Sequence, residues 1–169
     1  MNWFFLTVGY SGLFPKAPGT MGTIAALPLG VAILLYFGPQ TLFMATILIT
    51  LIAIKAIDKH ESIVNEHDDS RIVIDELVGM WFALSIAPGI GFDLSALMTW
   101  TNGIALQIVM SFIFFRLYDI KKPSIIGRID RETKGGLGVM GDDIIAGFAA
   151  GISSAIVWQI LLKSGLLSL

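Results

Sequence analysis

The stretch "IVIDELVGMW", residues 72–81, places Asp75 and Glu76 side by side within an otherwise apolar run. An ionised carboxylate at the centre of a bilayer costs about 2.5–3.5 kcal/mol on insertion scales, so a chain that keeps two of them needs a compensating partner. Because the pair stands at the start of its run, we expect it at a membrane interface, where a helix begins.

The composition is typical of a membrane protein. Of the 169 residues, 55% are hydrophobic and 14% are charged, and the mean hydropathy is +0.80. Soluble domains carry about 25% charged residues. The net charge of -2 argues against nucleic-acid binding, which requires a basic face. The absence of cysteine excludes disulfides, thiolate metal ligands and cysteine nucleophiles.

Successive apolar runs predict an all-α fold, with residues 1–169 forming a single membrane-embedded helical bundle of about five helices. Spanning the hydrocarbon core takes about 20 helical residues. The first run is short and contains Pro28, so it predicts either a full or a partial span. The runs cover residues 22–37, 41–57, 73–88, 97–115 and 144–162.

The basic residues predict the orientation of this bundle. If there are five spans, Lys163 alone lies on one side, and the other ten of the eleven Lys and Arg residues lie on the opposite side. The positive-inside rule makes that opposite side cytoplasmic. Twelve of the thirteen acidic residues fall there too, with Asp93 as the exception. We therefore expect a site at the cytoplasmic end of a multi-pass helical bundle.

A second acidic pair repeats the local design of the first. In "DELVG" (75–79) and "GDDIIAG" (141–147), Gly79 follows Asp75 by four residues and Gly147 follows Asp143 by four. This spacing puts each glycine on the same helical face as its carboxylate, where it allows close helix packing. Packing of the two helices would gather four oxygen ligands of the kind that Mg²⁺ prefers: Asp75, Glu76, Asp142 and Asp143. Each pair alone could instead complement its helix dipole.

Two further segments are candidates for binding phosphate. In "FPKAPGTMGTIAALP" (14–28), Thr20 could cap a helix whose free N–H groups suit an anion, although an ordinary Pro-Gly loop fits the pattern equally well. In the segment 115–143, Arg116 and Lys122 are candidate phosphate ligands, and Asp119 is either a further ligand or an ion-pair partner. His60 and His67 are more often solvated loop residues than ligands, although His67 with Asp68 could have a secondary role.

These segments together resemble the phosphatidylglycerophosphatase A family. The resemblance runs through "SGLFPKAPGTMGTIAALP", "IVIDELVGMW", "FRLYDIKKP" and "DRETKGGLGVMGDDIIAG", in that order. It implies a Mg²⁺-dependent membrane phosphatase that converts phosphatidylglycerophosphate to phosphatidylglycerol and phosphate. It also implies a bacterial inner-membrane location and a role in phospholipid synthesis. Family members commonly continue the lysine-proline dipeptide with tryptophan-proline, whereas this chain has Ser124 and Ile125.

The resulting hypothesis assigns both catalysis and metal binding to the two acidic pairs, and phosphate binding to Thr20, Arg116, Asp119 and Lys122. The expected nucleophile is a metal-activated water, with attack by Asp75 or Asp143 as the alternative. Intramembrane acids also occur in ion or solute carriers, which is the competing functional class. A noncatalytic lipid-binding scaffold is a third option, although it would not require four converging carboxylates.

Overall fold

The computed structural model describes residues 3–64, 69–87, 103–123, 126 and 135–165. Within these ranges the protein is helical and contains no β-strand, which confirms the all-α class. A short 3₁₀ turn spans Ser11–Leu13. The α-helices are α1 (Trp3–Leu6), α2 (Pro18–Val64), α3 (Ile74–Ile86), α4 (Ile104–Lys121) and α5 (Gly135–Lys163).

Helix α2 consists of two arms. Gly38 has φ 83° and ψ 169°, a backbone conformation that a helix does not contain and that glycine adopts without strain. Pro39 follows directly and lacks the N–H needed for a regular helical turn. The arms, residues 18–37 and 39–64, correspond to the first two predicted apolar runs.

Among the helices that the structure describes, α2 and α5 are long and apolar enough to cross a membrane. Helix α3 has 13 residues, or about 20 Å of rise, which is less than the thickness of a hydrocarbon core. Part of the fourth run, residues 97–102, lies outside the described residues. The coarse prediction of a helical membrane protein is thus supported, and the count of five embedded helices stays a prediction. Also outside the described residues are His67, Asp68, Asp93, Ser124, Ile125, Arg128, Arg131 and Lys134.

Helix α3 forms the centre of the fold. Its residues from Leu77 to Leu84 are all buried, and Trp81 is among the largest fully buried side chains. Since α3 is apolar on all sides after its acidic first turn, it is a core helix and not an amphipathic surface helix. The Trp81 indole N–H donates to the carbonyl of Ala26 at 2.9 Å, which fixes α3 against the first arm of α2.

Glycines set the distance between α3 and α5. A side chain at Gly147 would collide with the backbone carbonyl of Gly79, and one at Gly79 would meet the carbonyl oxygen of Asp143 at 2.7 Å and the ring of Phe115. One turn on, a side chain at Gly151 would meet the side chain of Ile86 at 2.7 Å. The predicted close approach at both glycines is therefore confirmed.

A polar cluster holds the segment that leads into α3. His60 is fully buried in α2, and its Nε2 lies 3.4 Å from Oδ2 of Asp69. Arg71 donates to both Asp69 carboxylate oxygens, at 2.8 and 2.6 Å, and its guanidinium lies over the Trp3 ring at 4.9 Å. The interpretation of His60 as a solvated loop residue was wrong, because this helical face turns inward against Asp69 and the ring of Trp3, 5.2 Å away.

This cluster predicts a loss of stability in acid. Hydrogen bonds from Arg71 hold the pKa of Asp69 at about 2, below its ordinary value of 3.8. The ionised pair therefore contributes its full stabilisation above about pH 4 and loses it as the pH falls towards 2. We expect Asp69→Asn to lower the melting temperature in detergent at pH 7. The difference in melting temperature between the variant and wild type should become smaller as the pH falls from 4 to 2. A difference that does not change with pH would contradict this assignment.

Candidate active site

Three carboxylates from two helices meet at one point. Asp75 and Glu76 lie in the first turn of α3, and Asp143 lies on α5. One oxygen from each of the three lies within 4.8 Å of the other two. Gly79 and Gly147 allow α3 and α5 to touch. Asp75 and Asp143 each lie four residues before one of these glycines, about one helical turn away, so this contact also brings the two carboxylates together.

The start of α5 is anchored to α2. The backbone N–H of Gly136 donates to Oδ1 of Asp58 at 2.7 Å, so Asp58 caps α5 from a separate helix. A side chain at Gly136 would collide with the backbone of Ile54. The expectation that Asp142 and Asp143 open their helix was wrong: α5 begins at Gly135, about two turns earlier, because its glycines lie directly against α2.

Asp142 is oriented differently from its neighbour. Its Oδ2 accepts from Nζ of Lys122 at 2.8 Å, and it does not belong to the group of three converging carboxylates. Asp142 and Lys122 line the same cavity as Asp143. The structure therefore places all four predicted acids at one site, with three directed to a common point and the fourth in an ion pair; a metal-ligand role for Asp142 stays a prediction.

Arg116 of α4 is held between α2 and its own helix. Its Nη1 donates to Oδ2 of Asp119 and, at 3.3 Å, to Oγ1 of Thr23. Its Nη2 donates to Oγ1 of Thr20 at 3.2 Å. Arg116 and Asp119 each have only 14% of the side chain exposed. Of the two roles proposed for Asp119, the ion pair is the one that the structure contains.

The start of α2 also faces the acids. The helix begins at Pro18, a favoured first helical residue, so its N-cap is Ala17 and the expectation that Thr20 caps it was wrong by three positions. A side chain on Gly19 would collide with the carboxylate of Glu76 and lie 3.5 Å from Nη1 of Arg116. The positive end of the α2 dipole therefore lies beside Glu76, where it favours negative charge.

The charged side chains of the site line a cavity of about 490 Å³. Its volume is within the range of ligand pockets, about 300–1,000 Å³. Positively and negatively charged side chains both line this cavity, so it suits a phosphate together with a metal ion. Its charged lining is Asp75, Glu76, Arg116, Asp119, Lys122, Asp142 and Asp143.

The donor set at this cavity fits a hard divalent cation. Oε2 of Glu76 is buried and has no hydrogen-bond partner among the described residues. Such an orphaned carboxylate oxygen is costly unless it meets a proton or a cation. Together with Asp75 and Asp143 it provides oxygen ligands, which suit Mg²⁺.

Two side chains that position the elements of the site could not be identified from the sequence. Asp58 stands 78 residues before Gly136, whose N–H it accepts, so no local spacing could indicate the contact. Thr23 contacts Arg116 across 93 residues. Its only local signal is that it follows Thr20 by three, which places the two hydroxyls on one helical face.

Comparisons with known proteins identify close relatives. A sequence model of the family described as "Phosphatidylglycerophosphatase A" matches residues 4–158. Phosphatidylglycerophosphatase A of Escherichia coli (strain K12) is 36% identical over 153 residues, covering 89% of this chain and 80% of that protein. Phosphatidylglycerophosphatase A of Haemophilus influenzae is 34% identical over 146 residues, covering 86% and 82%.

A third relative carries a different name. A protein of Bacteroides thetaiotaomicron, provisionally named phosphatidylinositol-3-phosphatase, is 35% identical over 156 residues and matches 89% of each chain. No solved structure matches the chain.

Proposed function

The chain belongs to the phosphatidylglycerophosphatase A family of enzymes, and we propose that it is a Mg²⁺-dependent phosphatase acting at the cytoplasmic face of the membrane. The reaction is hydrolysis of the terminal phosphomonoester of phosphatidylglycerophosphate, giving phosphatidylglycerol and inorganic phosphate. The observation that carries the proposal is the convergence of Asp75, Glu76 and Asp143 in a cavity that Arg116 also lines.

Phosphoryl transfer depends mainly on positioning and on neutralising charge. In the proposed enzyme, Arg116 binds the terminal phosphate, since a guanidinium can donate two parallel hydrogen bonds to phosphate oxygens. Lys122 lines the same cavity and would add a second positive charge to the phosphate site. Its ion pair with Asp142 keeps the ammonium group in place before the substrate arrives.

The converging carboxylates are the proposed holders of the metal. Asp75, Glu76 and Asp143 would bind Mg²⁺ through their oxygens, and Asp142 would contribute from the adjacent position. When bound, the ion supplies positive charge to the phosphoryl oxygens and lowers the pKa of water. The carboxylates themselves would orient the attacking water and can accept its proton, and the leaving glycerol oxygen takes up a proton as the phosphoester bond breaks.

The lipid substrate explains why this site belongs at one end of a membrane bundle. The first arm of α2, residues 18–37, rises about 30 Å, which matches the hydrocarbon core. Aromatic side chains are exposed at both ends of it: Tyr10 and Phe14 before the start, and Tyr36 and Phe37 at the end. Exposed aromatic rings are typical of membrane interfaces. The acids lie at the Phe14 end, where a phosphorylated headgroup would reach them, and the positive-inside pattern supports a cytoplasmic position.

Phosphate release from purified protein in detergent tests this proposal. With phosphatidylglycerophosphate as substrate, we expect EDTA to lower release at least about tenfold, because metal ions contribute several kcal/mol to such reactions. Excess Mg²⁺ should restore it, whereas the same excess of Na⁺ should not. Turnover that EDTA leaves unchanged would contradict the metal assignment.

Substrate identity is tested in the same assay. Phosphatidylinositol 3-phosphate is the matched competitor, because a relative of similar identity is provisionally named for it. Faster release from that lipid would overturn the proposed substrate while leaving the phosphatase reaction in place. Ion flux into liposomes without phosphate release from either lipid would favour the carrier instead.

A further inference from the structure

Thr23 presents a fixed acceptor to the candidate active site. It lies one turn into α2, is fully buried, and donates its hydroxyl proton to the carbonyl of Gly19 at 2.8 Å. A hydroxyl has a single proton. Towards Arg116, whose Nη1 lies 3.3 Å away, the Thr23 oxygen can therefore only accept.

The hydrogen bonds of Arg116 can be counted against its five N–H donors. Both Nη1 protons are used, one by Asp119 and one by Thr23. One Nη2 proton is used by Thr20. The Nε of Arg116 is buried and has no partner among the described residues. The donors without a described partner are thus the buried Nε proton and one Nη2 proton, and Arg116 lines the cavity of the candidate active site.

We propose that Thr23 is a positioning residue: with Thr20 and Asp119 it holds the Arg116 guanidinium in the orientation in which it lines the cavity and meets the phosphate of the substrate. The inference rests on the proposed function and goes beyond it, because Thr23 itself does not touch the reacting atoms. As an uncharged acceptor it orients the guanidinium without neutralising it. Asp119 orients the same group but also offsets its charge, so the neutral acceptors preserve attraction for an anion.

A purely structural role for Thr23 is the alternative. Threonines within helices often donate to the carbonyl four residues earlier. Thr46 does so to Leu42 at 2.7 Å, in the second arm of the same helix, and is also fully buried. Thr46 is therefore a matched control, with the same local bond and burial as Thr23 but no described contact with Arg116.

The test compares Thr23→Val, Thr23→Ser and Thr46→Val in the full-length protein in detergent with Mg²⁺. Valine keeps the shape of threonine and removes the hydroxyl, and serine keeps the hydroxyl. A hydrogen bond to a charged group contributes about 1.5–3 kcal/mol, so we expect Thr23→Val to lower kcat/KM about 10–100-fold. Thr23→Ser should stay within about threefold of wild type, and Thr46→Val within about twofold. Inorganic phosphate should inhibit the Thr23→Val enzyme less strongly, by a similar factor.

Coupling to Arg116 separates positioning from stability. In an Arg116→Ala background, adding Thr23→Val should change kcat/KM less than about twofold, since residues that act together are not additive. Equal losses in the Thr23→Val and Thr46→Val enzymes, or the full Thr23→Val loss in the Arg116→Ala background, would overturn the inference.

Direct binding of inorganic phosphate to the Mg²⁺-treated protein gives an independent readout. We expect Thr23→Val to bind phosphate about tenfold or more weakly than wild type and Thr46→Val to bind it normally. If wild type hydrolyses neither lipid, the proposed function fails, and this binding comparison still decides the role of Thr23. Unchanged phosphate binding in Thr23→Val would overturn it.

Discussion

Replacing Asp143 by asparagine should lower phosphate release about 10²–10³-fold. The change keeps the shape of the side chain and removes one of three carboxylates whose oxygens lie within 4.8 Å of one another. Loss of one preorganised group that stabilises transition-state charge costs a factor of this size in other enzymes. The measurement is kcat/KM with phosphatidylglycerophosphate at saturating Mg²⁺, with the melting temperature in detergent recorded for each variant.

Asp142→Asn is the matched comparison, because the same substitution is made at the adjacent residue. Asp142 pairs with Lys122 and stands outside the converging group, so we expect a loss of about tenfold, the lower end of what outer positions at metal sites cost. Raising Mg²⁺ above the concentration that saturates wild type should partly restore the activity of a variant whose metal site is weakened. Equal losses in the two variants would contradict the division between three converging acids and one paired acid. An Asp143→Asn enzyme with wild-type activity would remove Asp143 from the site.

The convergence of the acids could be predicted from the sequence because two rare features coincide. Carboxylates are costly in an apolar helix, and in both pairs a glycine follows four residues later. Burial of Asp143 beside the Gly79–Gly147 crossing is the structural consequence of that pattern. The apolar runs also predicted where the helices lie, although α5 starts nine residues before the apolar run at 144–162.

The side-chain partners could not be predicted, because they join residues that are far apart in the chain. Asp58 reaches Gly136, and Arg116 reaches Thr20 and Thr23, through contacts that depend on how whole helices pack. The same limit explains His60. Periodicity gives no sign that its face would turn towards Asp69.

The contact between α3 and α5 beneath the site should be very sensitive to substitution. Gly147→Ala adds one carbon atom at a position where the backbone of Gly79 leaves no room. Overpacking costs about 1–3 kcal/mol even where side chains can adjust, and backbone cannot adjust as they do. We expect the melting temperature to fall by about 2–4 °C for each kcal/mol lost. Because Asp143 is one turn away on the same face, separation of α3 from α5 should also lower activity about 10²-fold.

Ala155→Val is the control for this change, since it adds two carbons to the same helix. Ala155 borders an apolar groove of about 350 Å³, which offers space for the added methyl groups. We expect this larger substitution to leave both the melting temperature and kcat/KM close to those of wild type. If Gly147→Ala were tolerated equally well, close contact between α3 and α5 would not be what holds Asp143 beside Asp75 and Glu76. The convergence of the three carboxylates would then need a different structural cause.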